Sequence, residues 1–373
     1  MKESMRRTTI PTLFLCLTGA AFAQAGGPTF TTFDAPGAGT GPGQGTIVTS
    51  MNVTQQITGY YVDAANLYHG FVRGADGTLT TFDAPGASTS YQGTIATSIS
   101  AVGVVVGGYN DASNVIHAFI RASSGTTTTF EAPGAGVAAY QGTTAASINA
   151  AGTIVGSYTD PNNQYHGYVR TAAGAITSFD GPGLPAGHPC VATAPASVNA
   201  AGSIVGYCPL TIFSHSFKRT AAGTMTPFDA PGNQETVAEA ISDTGTIAGF
   251  CYNSSEYVYE GFVRDPRGGP ITTFVVPGSG TTPNANQGTK ALAVGTADIT
   301  AGYFTDASNV SHGFVRHSNG KMETFNAPGA GSGPNGGTYA VAINAAGVVA
   351  GYFQDASSVL HGYLLTPGPS PAQ

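Results

Sequence analysis

The sequence predicts an all-β fold, a seven-bladed β-propeller with four antiparallel strands per blade, closed by the N-terminal strand completing the last blade. The first observation behind this is a repeat. Phe33-Asp34-Ala35-Pro36 recurs at Phe82, Phe130, Phe179, Phe228, Phe274 and Phe325, at spacings of 49, 48, 49, 49, 46 and 51 residues. Near-constant periods of this length mark arrays of supersecondary units. The second is composition: 53 Gly, 23 Pro, no Trp and 9% charged residues in 373, which suits short strands and turns better than helices. The third is a strand count that leaves one strand missing at the C-terminal end and one spare at the N-terminal end.

In chain order, Lys2, Arg6 and Arg7 precede an apolar run around Leu13 to Leu17 and the small-residue signal Ala21-Phe22-Ala23. Residues 1–23 are therefore expected to be a secretory signal peptide, the run being shorter than the roughly 20 residues of a membrane span. Residues 29–33 are the spare strand. The third unit shows the pattern of the rest: strands over 143–148, 153–158, 166–170 and 176–179, turned at Asn149-Ala150-Ala151-Gly152, at Asp160-Pro161-Asn162-Asn163 and at Ala172-Ala173-Gly174. Periodicity and turn residues of this kind define antiparallel strands. The last unit ends after His361-Gly362-Tyr363-Leu364 without a fourth strand, and 29–33 would supply it. Closure would also remove exposed sheet edges. The propeller is thus expected over 24–366, with a disordered Pro-rich tail at 367–373.

The second hairpin, most clearly in the second and sixth units, carries the motif Gly-x-x-x-Asp-Ala-Ser-Asn-x-x-His-Gly/Ala-Phe. With His117-Ala118-Phe119, and variants such as His69-Gly70-Phe71 and His312-Gly313-Phe314, the chain resembles the bacterial extracellular repeats named for their His-Ala-Phe signature. That resemblance implies export and brings no established activity. The fifth unit departs from it, with Glu260-Gly261-Phe262.

Without residues 1–23 the chain has 10 basic and 19 acidic side chains, which excludes nucleic acid as an expected partner. No transmembrane segment is expected in the mature chain, which should be a secreted or periplasmic monomer. No cofactor or metal is implied. Cys190, Cys208 and Cys251 remain after cleavage, and in an oxidising compartment one pair should form a disulfide. Cys190 and Cys208 should reach the same end of the array; Cys190 with Cys251 is the alternative.

The recurring ionisable residues are Asp63, His69 and Asp83, then Asp111, His117 and Glu131, then Asp160, His166 and Asp180, with Asp306, His312, Asp355 and His361 in the last two units. The spacing puts each His opposite its acids at one strand end. Such a set could bind metal or orient an imidazole, but its recurrence argues for a structural role, holding the hairpin register. Arg73, Arg121, Arg170, Arg219, Arg264 and Arg316 close the third strands at the other end and are expected to be solvated.

Gln44, Gln92, Gln141 and Gln287 precede Gly-Thr in the loops that enter the first strands. Those loops should form the binding face around the channel mouth. Symmetry-breaking ionisable residues mark the candidate catalytic positions: Glu235 and Glu239 in the fifth unit, Lys290 in the sixth and His188 in the insertion before Cys190. The expected function is recognition of an extracellular protein or polysaccharide. The alternative is a glycan-acting hydrolase or lyase using those acids and bases at the channel mouth.

Overall fold

The computed structural model describes residues 27–90, 92–183, 190–209, 214–232, 235–256, 258–283 and 285–368. The expected signal peptide, His188 and most of the expected tail lie outside these. The described residues form strands, turns and loops, with no helix.

The strands pair antiparallel in sets of four. β1 (Thr29–Phe33) stands apart in sequence. It is followed by β2 (Gly45–Met51), β3 (Ile57–Val62), β4 (Tyr68–Arg73) and β5 (Leu79–Phe82), then β6 (Thr94–Ile99), β7 (Val105–Asn110), β8 (Ile116–Arg121) and β9 (Thr127–Phe130). Next come β10 (Gly142–Ile148), β11 (Ile154–Thr159), β12 (Tyr165–Arg170) and β13 (Ile176–Phe179), then β14 (Ala194–Val198), β15 (Ile204–Pro209), β16 (Ser214–Arg219) and β17 (Met225–Phe228). The remainder are β18 (Glu235–Ile241), β19 (Ile247–Asn253), β20 (Val258–Arg264) and β21 (Ile271–Phe274), then β22 (Gly288–Val294), β23 (Thr300–Thr305), β24 (Ser311–Arg316) and β25 (Met322–Phe325), and last β26 (Gly337–Ile343), β27 (Val349–Gln354) and β28 (Leu360–Thr366). β1 pairs antiparallel with β28, from Thr29 opposite Thr366 to Phe33 opposite Gly362.

Hydrogen bonding groups the strands into sheets of 16, 8 and 4 strands, not into one closed sheet. Where neighbouring sets do bond, the link is one parallel bridge, as at Gly142 to Ile116. Gly142 has φ +118°, and a Cβ there would collide with the Ile116 carbonyl. Glycine is required for that approach. The next residue also recurs for a reason: the Thr143 hydroxyl accepts the Ala132 N–H at 3.0 Å, as Thr46 does for Ala35 at 2.8 Å and Thr338 for Ala327 at 2.9 Å. The threonine thus anchors each first strand to the loop before it, preceded by glycine in five of the seven sets.

Side-chain packing between sets carries the core. Phe82 meets Phe119 edge-on with ring centroids 5.7 Å apart, Phe130 meets Tyr168 at 6.1 Å, and Phe325 meets Tyr363 at 6.2 Å. Phe119, Tyr168 and Tyr363 are fully buried. Phe33 of β1 makes the same contact with Phe71 at 6.1 Å, so the strand laid on β28 packs against the set that begins with β2.

The arginines are a correction to the sequence expectation. They are not solvated: Arg73 lies over the Phe33 ring at 5.1 Å, Arg121 over Phe82 at 4.8 Å, Arg170 over Phe130 at 4.8 Å and Arg219 over Phe179 at 4.9 Å. Arg264 and Arg316 repeat the arrangement over Phe228 and Phe274. The flat guanidinium covers an aromatic face while its stem packs on apolar surface. Burial lowers the pKa of Arg73, Arg121, Arg219, Arg264 and Arg316. Cys190 and Cys208 form a disulfide, with Cα atoms 5.4 Å apart, and Cys251 is free and buried.

Candidate functional site

Two groups of candidate residues occupy different places. The first is the repeated histidine and its acids. In the turn after β3, Asp63 Oδ1 accepts the N–H groups of Ala65 and Leu67, both at 2.8 Å, while Asn66 takes the left-handed conformation with φ 64°. Aspartate and asparagine suit those two turn positions. The other oxygen of Asp63 lies 3.4 Å from His69 Nε2, and Asp83 is 2.8 Å from His69 Nδ1. The imidazole stacks on Tyr61 with centroids 4.8 Å apart.

The same construction joins His117 to Asp111 (3.4 Å) and Glu131 (2.6 Å), and His166 to Asp160 (3.7 Å) and Asp180 (2.7 Å). His312 lies 3.2 Å from Asp306, with Asn326 in place of the second acid at 2.7 Å. His361 reaches Asp355 at 3.6 Å and, across the length of the chain, Asp34 at 2.9 Å. Where β20 carries Glu260 instead of histidine, Asn253 donates to it at 2.8 Å. His69 and His312 thus hydrogen-bond through both ring nitrogens, whereas His117, His166 and His361 bond through Nδ1 and hold Nε2 only near the turn acid. Among the described residues no group of three or more His, Cys, Asp and Glu is arranged to hold a metal ion. Partial burial raises the Asp63 carboxyl pKa, but the donors from Leu67, Ala65 and His69 outweigh it and hold the group below its usual value. Asp111 and Asp306 follow suit.

The loop glutamines brace the same end. Gln141 donates to Asn163 Oδ1 at 2.9 Å and accepts from Ala138, Gln287 donates to Asn309 at 2.9 Å and accepts from Thr282, and Gln44 donates to Asn66 at 2.9 Å and accepts from Gly41. These three amides tie loop to turn. Gln92 is half-buried with φ 47°.

The second group is in the channel. Each first strand has a register shift at its middle, as between Ala238 and Ala240. The residues at these shifts, Thr49, Thr97, Ala146, Ala196, Glu239, Leu292 and Val341, line one cavity of about 250 Å³. Glu239 is the one ionisable member. Burial pushes its carboxyl up to about 7, against the opposing pull of Lys290. The Glu239 side chain is only partly buried and so remains open to the channel. Lys290 on β22 has its pKa lowered by desolvation and raised by Glu235 and Glu239. Its ammonium sits 4.0 Å from the Tyr259 ring centroid and 5.1 Å from that of Phe250. Glu235, Glu239 and Lys290 are thus brought together.

A run of tyrosines continues from this trio, and the ionisable-residue search did not find it. Tyr303 and Tyr339 have centroids 4.9 Å apart, and Tyr339 stacks on Tyr352 at 4.9 Å. Burial, with Tyr339 and Glu239 nearby, pushes the Tyr303 hydroxyl up to about 12. Tyr60 pairs with Tyr68 at 5.5 Å and is close enough to raise the Tyr352 pKa further beyond burial. The signal was in the sequence. The residue after the recurring second-strand glycine is Tyr60, Tyr207, Phe250, Tyr303 and Tyr352 in five of the sets, but Gly108 and Ser157 in the second and third.

No protein-family model matches the chain, and no curated protein matches it. Among solved structures, the β-propeller domain of the Trilobed protease from Pyrococcus furiosus, described as an open velcro topology, is similar with a TM-score of 0.55 and 11% identity, covering 87% of this chain and 94% of that one. The BP39L lectin from Burkholderia pseudomallei is similar with a TM-score of 0.50 and 9% identity, covering 86% and 95%. At these identities the likeness concerns the fold, and the fold is that of a β-propeller. No described helix is long and apolar enough to cross a membrane.

Proposed function

We propose that the chain is a secreted, monomeric, seven-bladed propeller whose ring is completed by β1 on β28, and that it recognises an extracellular polysaccharide or protein without catalysing a reaction. Polysaccharide is the favoured ligand. The carrying observation is the asymmetric aromatic sector: half-buried Tyr60, Tyr259, Tyr303, Tyr339 and Tyr352, beside Lys290 and Glu235, in a molecule whose other polar motifs repeat from unit to unit. Aromatic faces with a few placed polar groups suit the alternating apolar and hydroxylated surfaces of sugar rings. Several facts support the remaining parts of the proposal: the pairing of β1 with β28, the His361 to Asp34 contact, the single channel lined by every set, and a disulfide of the kind found in oxidising compartments. The resemblance to His-Ala-Phe repeats points the same way. A lectin with a similar fold is compatible with the idea, though fold alone does not give function.

A second reading has one specific support. A carboxyl raised to about 7 beside a second carboxylate and a lysine could act as a general acid. The discriminating experiment is a glycan-array screen of residues 24–373 with Glu235→Gln/Glu239→Gln alongside and reducing-end release measured on every hit. Binding without release, kept in the double variant, supports the scaffold. Release that the double variant loses supports the enzyme.

A further inference from the structure

The stacking of arginine on phenylalanine fails in one place. Arg170 stands on β12 opposite Ile154 and Ile176, and its guanidinium covers Phe130. The corresponding position on β28, opposite Val349 and Phe30, is Leu365. Phe325 therefore lacks the guanidinium that Phe33, Phe82, Phe130, Phe179, Phe228 and Phe274 receive. A cavity of about 460 Å³ lies there, walled by Phe30, Ile299, Val315, Phe325, Val349 and Leu365.

The rim of this cavity is also unlike the other units. Glu323, opposite Val315, stands where the other described fourth strands have threonine: Thr31, Thr80, Thr128, Thr177, Thr226 and Thr272. His317 lines the same cavity, its Nε2 buried and 3.5 Å from Glu323 Oε1. The hydrogen bond from Lys321, at 2.7 Å, holds the Glu323 carboxyl below its usual value, so it is anionic at neutral pH. Lys321 itself is exposed and approaches from outside the cavity.

We propose that this cavity binds a small organic cation, a guanidinium or ammonium group on an aromatic or alkyl body, whose charge takes the seat over Phe325 that arginine fills elsewhere and faces Glu323. The apolar wall takes the body, and the volume is in the range of small-molecule sites. A shielded aromatic face and a carboxylate at its edge together favour a cation over a neutral isostere. The cavity lies at the opposite strand ends from the loop face and does not depend on what that face binds.

Isothermal titration calorimetry of the full mature chain with benzamidine, its neutral analogue benzamide and the anion benzoate tests this. Benzamidine is expected to bind one saturable site, with benzamide and benzoate weaker by about tenfold or more. Glu323→Gln should weaken benzamidine by about tenfold. Leu365→Arg supplies the missing guanidinium from within, and should abolish binding while the melting temperature holds or rises. No benzamidine binding, equal binding of benzamide, or undiminished binding to a folded Leu365→Arg protein would overturn the proposal. If Leu365→Arg does not fold, the Glu323→Gln and benzamide comparisons decide it alone.

Discussion

The histidine turns and the channel sector use similar side chains for opposite ends. In the turns, imidazole, carboxylate and a stacked aromatic ring recur with nearly fixed geometry, from His69 between Asp63 and Asp83 on Tyr61 to His361 between Asp355 and Asp34 on Phe353. Each imidazole there is bonded through Nδ1 to the residue after a fourth strand and lies beside its own turn, so little is left for a ligand. In the channel, Glu239 is the one ionisable residue among seven equivalent positions, Lys290 leans on Tyr259 and Phe250, and the aromatic sector is interrupted at Gly108 and Ser157. A group that recurs in every unit answers a need every unit has, which is folding. A group present once answers a need of the whole molecule.

The most disruptive test concerns the ends of the chain. Removing residues 24–34 strips β28 of one of its two antiparallel partners, exposes Phe71 and takes Asp34 from His361. The loss of two packed phenylalanines alone should cost roughly 3–5 kcal/mol or more, seen as a lower urea midpoint or loss of a single cooperative transition. An unchanged midpoint would break the proposed closure.

Substitutions in the two regions should then separate stability from binding. His166→Ala should lower the urea midpoint, because it removes the bond to Asp180 and unstacks Tyr158, while any glycan found by array binds as before. Tyr339→Ala should do the reverse, leaving the melting temperature within a few degrees but weakening that glycan by about tenfold or more. If His166→Ala removed binding at unchanged stability, the division between the regions would fail.

Much of the fold was legible because it rests on local chemistry: Asn at left-handed turn positions, Gly-Thr at five first-strand entries, and the acid after five of the fourth strands. The strand at 29–33 could be recognised as spare because 360–366 had no successor. The arginine seats were not legible in this way, since Arg73 and Phe33 belong to different sets and nothing local joins them. Only a constant offset of roughly one unit between each Arg and an earlier Phe could have revealed them, together with the exception at Leu365. The channel tyrosines escaped because attention to ionisable residues passes over a position that changes from Tyr303 to Ser157 without changing charge.

The smallest effect is also the sharpest division between the regions, because pH moves them in opposite directions. Asp63, Asp111, Asp160 and Asp306 have lowered folded pKa values. The unfolded chain binds more protons than the folded one as pH falls through that range, so their contribution is present above the usual carboxylate pKa and is lost in acid. Glu239 has the opposite sign: its folded value of about 7 lies above the usual 4.5, so the folded chain holds the proton more tightly and stability declines as pH rises between the two. With channel water screening the site, that decline should amount to about 1–2 kcal/mol. Urea unfolding of Glu239→Gln and the parent between pH 4 and pH 8 should show curves that meet near pH 4 to 5 and part as pH rises, the variant becoming the more stable. Parallel curves would mean that Glu239 is ionised as easily in the channel as in water, and would remove its claim to be different from the acids of the turns.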